Sequence, residues 1–88
     1  MRFQIEFTQA FEKSLKKLTI KEQKLVGAKL KIFCDNPFYP SLRTKKVHGF
    51  ENLFEFSVNM DIRILWRYKD DKIIITLEIG HHDLLDKL

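Results

Sequence analysis

From Arg2 to Phe7 the chain alternates apolar and polar side chains, from Gln9 to Asn36 it follows a helical period, and three later segments alternate again. A chain that switches period in this way must lay helices against a sheet. Phe3, Ile5 and Phe7 share one side of the first segment and Arg2, Gln4 and Glu6 the other, the pattern of a half-buried strand. Phe11, Leu15 and Leu18 then fall four and three apart, which predicts a short helix with Thr8 as N-cap. Thr19 and Glu22 form a capping box that opens a second helix, carried by Leu25, Ala28, Ile32 and Phe33 and stopped at Asn36-Pro37. After the loop PFYPSLRT, strands are predicted at Leu53 to Val58, Ile62 to Tyr68 and Ile73 to Ile79, preceded by a short one around Lys45 to His48. The order is β-α-α-β-β-β. The predicted class is α+β: a helical hairpin packed on one face of a twisted antiparallel sheet, with a short C-terminal tail.

Parity sets an expected register. Phe54, Phe56 and Val58 share a face, as do Ile62, Ile64, Trp66 and Tyr68, and as do Ile73, Ile75, Leu77 and Ile79. If all these faces meet the helices, Asn59-Met60-Asp61 is an odd loop that pairs Val58 with Ile62. Lys69 to Lys72 is then an even loop that pairs Tyr68 with Ile73. The opposite face then carries Ser57, Arg63 and Glu78 in one row and Glu55, Leu65 and Thr76 in the next. It is expected to be polar and open to a ligand, with Gly80-His81-His82-Asp83 leaving the last strand beside the Asn59 to Asp61 loop.

With 88 residues, the chain has room for one domain over positions 1–88, which excludes Rossmann and barrel enzymes. A hydrophobic fraction of 44%, a charged fraction of 32% and only three Gly and two Pro describe a folding sequence rather than a linker. No apolar run approaches the roughly 20 residues of a membrane span, and the first residues lack the apolar stretch of a signal peptide, so a cytoplasmic location is expected. The lone Cys34 has no partner within the chain for a disulfide. The net charge of +4 is uneven: residues 1–50 carry eleven Lys and Arg against four acids, and residues 51–88 carry five against eight. Most lysines of the first half sit on the helices, where solvated faces account for them. Arg43, Lys45 and Lys46 follow the helices and need another reason, which phosphate contact supplies.

Arg63 and Glu78 form a surface ion pair in the simplest reading. Yet Arg63 on an open sheet face, Lys45, Lys46 and His48 entering the sheet and His82 at its end are also the parts of a phosphoryl-transfer site that uses no metal. RNA carries its own nucleophile, the 2′-hydroxyl, so cleavage needs a base, an acid and cations for the phosphorane. Imidazole, with a pKa of about 6.5, suits the first two roles. His81-His82-Asp83 does not have the spacing of a metal shell. Glu55, Glu78 and Asp61 lack a cleft for paired-carboxylate glycoside chemistry. Phe50, beside Gly49, is placed to stack on a base. No metal and no cofactor are expected.

Taken together, the segment P-S-L-R-T-K-K-V-H-G at Pro40 to Gly49, L-F-E-F-S-V-N-M-D-I-R-I-L-W at Leu53 to Trp66 and I-G-H-H-D-L-L at Ile79 to Leu85 resemble the RelE/ParE superfamily of toxins, nearest its YafQ-like and RelE-like mRNA interferases. The resemblance implies a toxin paired with a cognate antitoxin, and an endoribonuclease that cleaves mRNA, in the RelE-like branch on the ribosome, by 2′-hydroxyl attack. Carried over by position, it makes His82 a general acid or base, Arg63 a stabiliser of the phosphorane or a residue that positions RNA, and Lys45 and Lys46 the grip on the RNA backbone; Arg43, in the same basic cluster, is expected to bind RNA with them. Glu55, Glu78 and Asp83 are supporting residues. Ser57 stands where many relatives carry arginine and no tyrosine follows the I-G-H-H-D ending, which leaves His48 as the substitute. The superfamily also holds ParE-like members that inhibit DNA gyrase without cleaving RNA; that reading, and a noncatalytic RNA-binding domain, are the alternatives.

Overall fold

The computed structural model describes residues 2–87. Strand β1 spans Gln4–Phe7, helix α1 Gln9–Leu15 and helix α2 Ile20–Asp35; a 3-10 turn at Pro40–Leu42 leads to β2, Lys45–Lys46. Strands β3, Phe54–Ser57, β4, Arg63–Tyr68, and β5, Ile73–Gly80, come next, and a second 3-10 turn covers Leu84–Lys87. The caps act as the sequence indicates. Thr8 accepts from the Phe11 N–H, and Thr19 and Glu22 close a reciprocal capping box. Helix α2 ends at Asp35, before Asn36-Pro37.

The sheet order is β1-β5-β4-β3-β2. Strands β2 to β5 are antiparallel neighbours, whereas β1 lies parallel to β5, so the sheet is mixed rather than wholly antiparallel. The two-helix connection imposes this: it carries the chain across the sheet between non-adjacent strands and leaves β1 free to line up beside β5. Phe11, Val26, Phe33, Phe56, Ile64, Trp66 and Ile74 form the main core between helices and sheet. Trp66 stacks on Phe54 at 4.6 Å and meets Phe33 edge-on at 5.0 Å. On α2 the buried stripe runs through Val26, Leu30 and Phe33, and Ala28, roughly 200° round the helix from Val26, is exposed rather than core.

The β3–β4 hairpin keeps the predicted register, with the Val58 N–H bonded to the Ile62 carbonyl at 2.9 Å and Ser57 opposite Arg63. The β4–β5 hairpin does not. Tyr68 pairs with Ile74 instead of Ile73, and between Leu65 and Trp66 the register shifts again, because Leu77 is an extra residue on β5: Trp66 faces Thr76 and Leu65 faces Glu78. The shifted turn puts Ile74 and Thr76 into the core in place of Ile73 and Ile75, and the bulge at Leu77 switches the parity back so that Ile79 is buried as well. Ile73, Ile75 and Leu77 are only half-buried. The rows of the second face become Ser57–Arg63–Gly80 and Lys45–Glu55–Leu65–Glu78.

That second face is not the open polar surface predicted. Val47, Leu65 and Leu84 are buried on it, with Leu53, Leu77 and Leu85 packed round them, so the C-terminal turn covers part of the sheet. Gly80 permits the approach, since a Cβ there would stand 3.0 Å from Leu84 Cδ1.

Candidate functional site

The β3–β4 turn organises the richest group of polar side chains. Asn59 Oδ1 accepts from the backbone N–H of Asp61 and of Ile62, at 2.9 and 2.7 Å, a side-chain turn that fixes where Asp61 points. Strand β5 ends opposite Arg63, and the chain leaving it brings two imidazoles onto the Asp61 carboxylate. His81 Nδ1 lies 2.6 Å from Oδ2 and His82 Nδ1 2.9 Å from Oδ1. A carboxylate only accepts, so Nδ1 carries the hydrogen on both rings and Nε2 is the atom left for chemistry.

Hydrogen bonds from both histidines hold the Asp61 carboxyl down at about 2. The same hydrogen bond and charge raise the His82 pKa above 6.5, Asp83 adding to the rise and Arg63 opposing it. The His82 side chain is 75% exposed, so this tuned imidazole faces solvent.

Arg63, at the start of β4, sits opposite Gly80 of β5, two residues before His82. Its Nη1 donates to the Asn59 carbonyl at 2.8 Å and to its neighbour Ile62 at 3.4 Å. The expected Arg63–Glu78 pair is absent: the shifted β4–β5 turn and the β5 bulge together move Glu78 opposite Leu65, where Oε1 accepts from the Ile79 N–H at 3.0 Å.

The structure thus brings together His82, Arg63 and Asp83, and adds Asp61 and His81. The other predicted residues are sorted elsewhere. Strand β2 runs antiparallel to β3, so the chain leaving β2 heads toward the start of β3, whereas Arg63 lies beside its end. His48 and Phe50 therefore stand at the opposite end of the sheet from His82, lining a shallow depression with Lys46 and Gly49. They do not complete the His82 site. Lys45 reaches back across the sheet to the buried carboxylate of Glu55 at 3.3 Å, a structural ion pair. Arg43 leaves the first 3-10 turn with φ 51° and faces a depression at the β3 edge shared with Arg63. Asp61, read from sequence as a loop residue, and His81 are the members that sequence reasoning missed. Their signal was the predicted meeting of the Asn59 to Asp61 loop with the Gly80 to Asp83 exit.

Two helices on a mixed sheet ordered β1-β5-β4-β3-β2 place the chain in the fold class of the RelE-like toxins. Its structural neighbours are RelE, YafQ and YoeB toxins, matched over most of the chain. Among them are RelE in the archaeal RelE–RelB complex from Pyrococcus horikoshii (TM-score 0.74, 19% identity, 92% of this chain and 96% of that one) and the E. coli DinJ–YafQ toxin–antitoxin complex (0.77, 14%, 97% and 98%). The YoeB dimer of Staphylococcus aureus is another (0.75, 18%, 93% and 99%). No family model and no curated protein sequence matches the chain. At such identities the likeness establishes the fold. Among the described residues no helix is long and apolar enough to cross a membrane.

Proposed function

We propose that this chain is the toxin of a type II toxin–antitoxin pair and acts in the cytoplasm as an endoribonuclease on mRNA, on the ribosome in the manner the RelE-like resemblance implies. One observation carries the reading: two imidazoles on one carboxylate stand beside an arginine that has no carboxylate partner among the described residues. Breakage of RNA at its own 2′-hydroxyl needs those groups and no cofactor. In this mechanism the 2′-oxygen attacks phosphorus and gives its proton to a base, the phosphorane forms, and the 5′-oxygen leaves with a proton from an acid, producing a 2′,3′-cyclic phosphate and a 5′-hydroxyl. His82 is the acid, because the hydrogen bond and charge of Asp61 raise its pKa and favour the protonated imidazole. His81, hung on the same carboxylate, is the base, and Arg63 stabilises the charge on the phosphorane. Lys46 and Phe50, at the far end of the sheet, hold the RNA strand as it runs on. The partner is a cognate antitoxin, a reading supported by neighbours solved as RelE–RelB and DinJ–YafQ complexes.

The test is purified protein on RNA, together with primer extension on cellular mRNA after expression. His82→Ala and Arg63→Ala each lower cleavage at least roughly tenfold while the domain stays folded, the usual scale for losing one acid-base or charge-stabilising group. Undiminished cleavage by both variants removes this site. Toxicity that survives His82→Gln with no cleaved RNA points to gyrase inhibition instead.

A further inference from the structure

On the other side of Arg63 from the histidines, the edge of β3 is bare, because β2 pairs only with Phe54 and Glu55. An open depression of about 170 Å³ lies against that edge, lined by Lys29, Ser41, Arg43, Ser57, Asn59 and Arg63 along with Val58 and Met60. Three cations thus converge from separate elements: Lys29 from α2, Arg43 from the left-handed corner after the 3-10 turn, and Arg63 from β4. Among the described residues the ion pairs use Arg2, Lys45, Lys69 and the two histidines, and none uses Lys29, Arg43 or Arg63. No carboxylate lines the depression; Asp61, one residue beyond it, is turned to the histidines.

Three like charges facing one small hollow repel one another, and an anion removes that cost. At ~30 Å³ per water the space holds on the order of five waters, enough for a phosphate group. The Ser41 and Ser57 hydroxyls add donors, and guanidinium forks suit phosphate oxygens. Lys29 is half-buried although it lies on a helix otherwise rich in solvated lysines, which fits a residue turned to a ligand rather than to bulk water.

We infer that this depression is a phosphate subsite, holding a backbone phosphate of single-stranded RNA adjacent to the one broken at His82, with Arg63 shared between the two. The inference rests on the nuclease reading for the identity of its ligand, but its binding is measurable without cleavage. The ligand is one phosphate, so Lys29 and Arg43 act as a unit.

The probe is a 2′-O-methyl RNA oligonucleotide, which lacks the attacking hydroxyl, titrated against the protein over a series of salt concentrations. Lys29→Gln, Arg43→Asn and the double variant are compared with Lys21→Gln/Lys24→Gln, which removes two charges from the exposed helical surface. Asn tolerates the left-handed backbone at position 43. Each single variant weakens binding roughly tenfold. The double variant weakens it little further and lowers the salt slope by roughly 0.7, the worth of one phosphate on a single strand. The control pair leaves the slope unchanged. Equal losses in the control pair, or an unchanged slope in the double variant, overturn the subsite even if RNA is cleaved. Loss of binding with these signatures in a protein that cleaves nothing keeps the subsite and removes the nuclease.

Discussion

Asp61 holds two imidazoles by one carboxylate, and the consequence is a pH window. The His82 pKa is raised by Asp61, so the stabilisation of their pair is fully present below 6.5 and is lost as pH rises through the higher folded value. On the acid side it is present above 3.8 and is lost as pH falls through about 2, the value at which Asp61 is held. In Asp61→Asn the NMR titration midpoint of His82 falls toward 6.5 and the alkaline limb of the cleavage profile moves to lower pH with it; an unmoved midpoint refutes the carboxylate's hold. Lys45 offers a separate check, because it pairs a Glu55 side chain only 6% exposed. Lys45→Met should cost roughly 1–3 kcal/mol in urea unfolding by leaving a buried acceptor unpaired, and Lys45→Met/Glu55→Met should recover most of it. At this scale the gathering of His82, Arg63 and Asp83 at one end of the sheet was legible in the sequence, since the expected strand ends bring the chain leaving β5 beside the β3–β4 loop. The role of Asp61 was not: the meeting of the two segments was expected, but that Asp61 takes both histidines depends on how the Asn59 side chain folds the turn.

Among the elements, the join between β1, α1 and β5 depends on Thr8. Its hydroxyl caps α1 and also reaches the carbonyls of Thr76 and Leu77, 3.0 Å from each, at the bulge. Thr76, fully buried, returns a hydrogen bond to the Glu6 carbonyl at 3.0 Å. Thr8→Ala therefore loses an N-cap and a sheet contact together and should cost about 1–2 kcal/mol in chemical denaturation, with Thr8→Ser close to the native value. A loss no larger than that of an exposed surface change would show that the cap does not reach the sheet. Both helices and their caps were readable because every signal lay within four residues. The bulge was not: Ile73, Ile75, Leu77 and Ile79 alternate as cleanly as an unbroken strand, and only pairing with β4 shows that Leu77 is surplus.

For the molecule as a whole, the sheet separates a large core from a small one, and the small one bears on function. Leu84 packs with Leu65 and Val47 directly after His81-His82-Asp83, so burial there tethers the segment that carries the imidazoles. Leu84→Ala should cost about 2 kcal/mol, at the low end for a truncated buried Leu. It should also speed amide exchange at residues 81–83 and lower cleavage although it touches no reacting group; unchanged exchange there would mean that Asp61 alone holds the segment. The amino-acid sequence by itself determined the α+β class, the order of elements, the caps and the first hairpin, because period, capping and turn chemistry act over a few residues. Only the tertiary structure decided that β1 joins in parallel, that a shifted turn and a bulge carry Glu78 away from Arg63, and that Asp61 meets two histidines while His48 lies at the far end. Those outcomes depend on pairings between distant segments, whose geometry is set by packing the whole core at once.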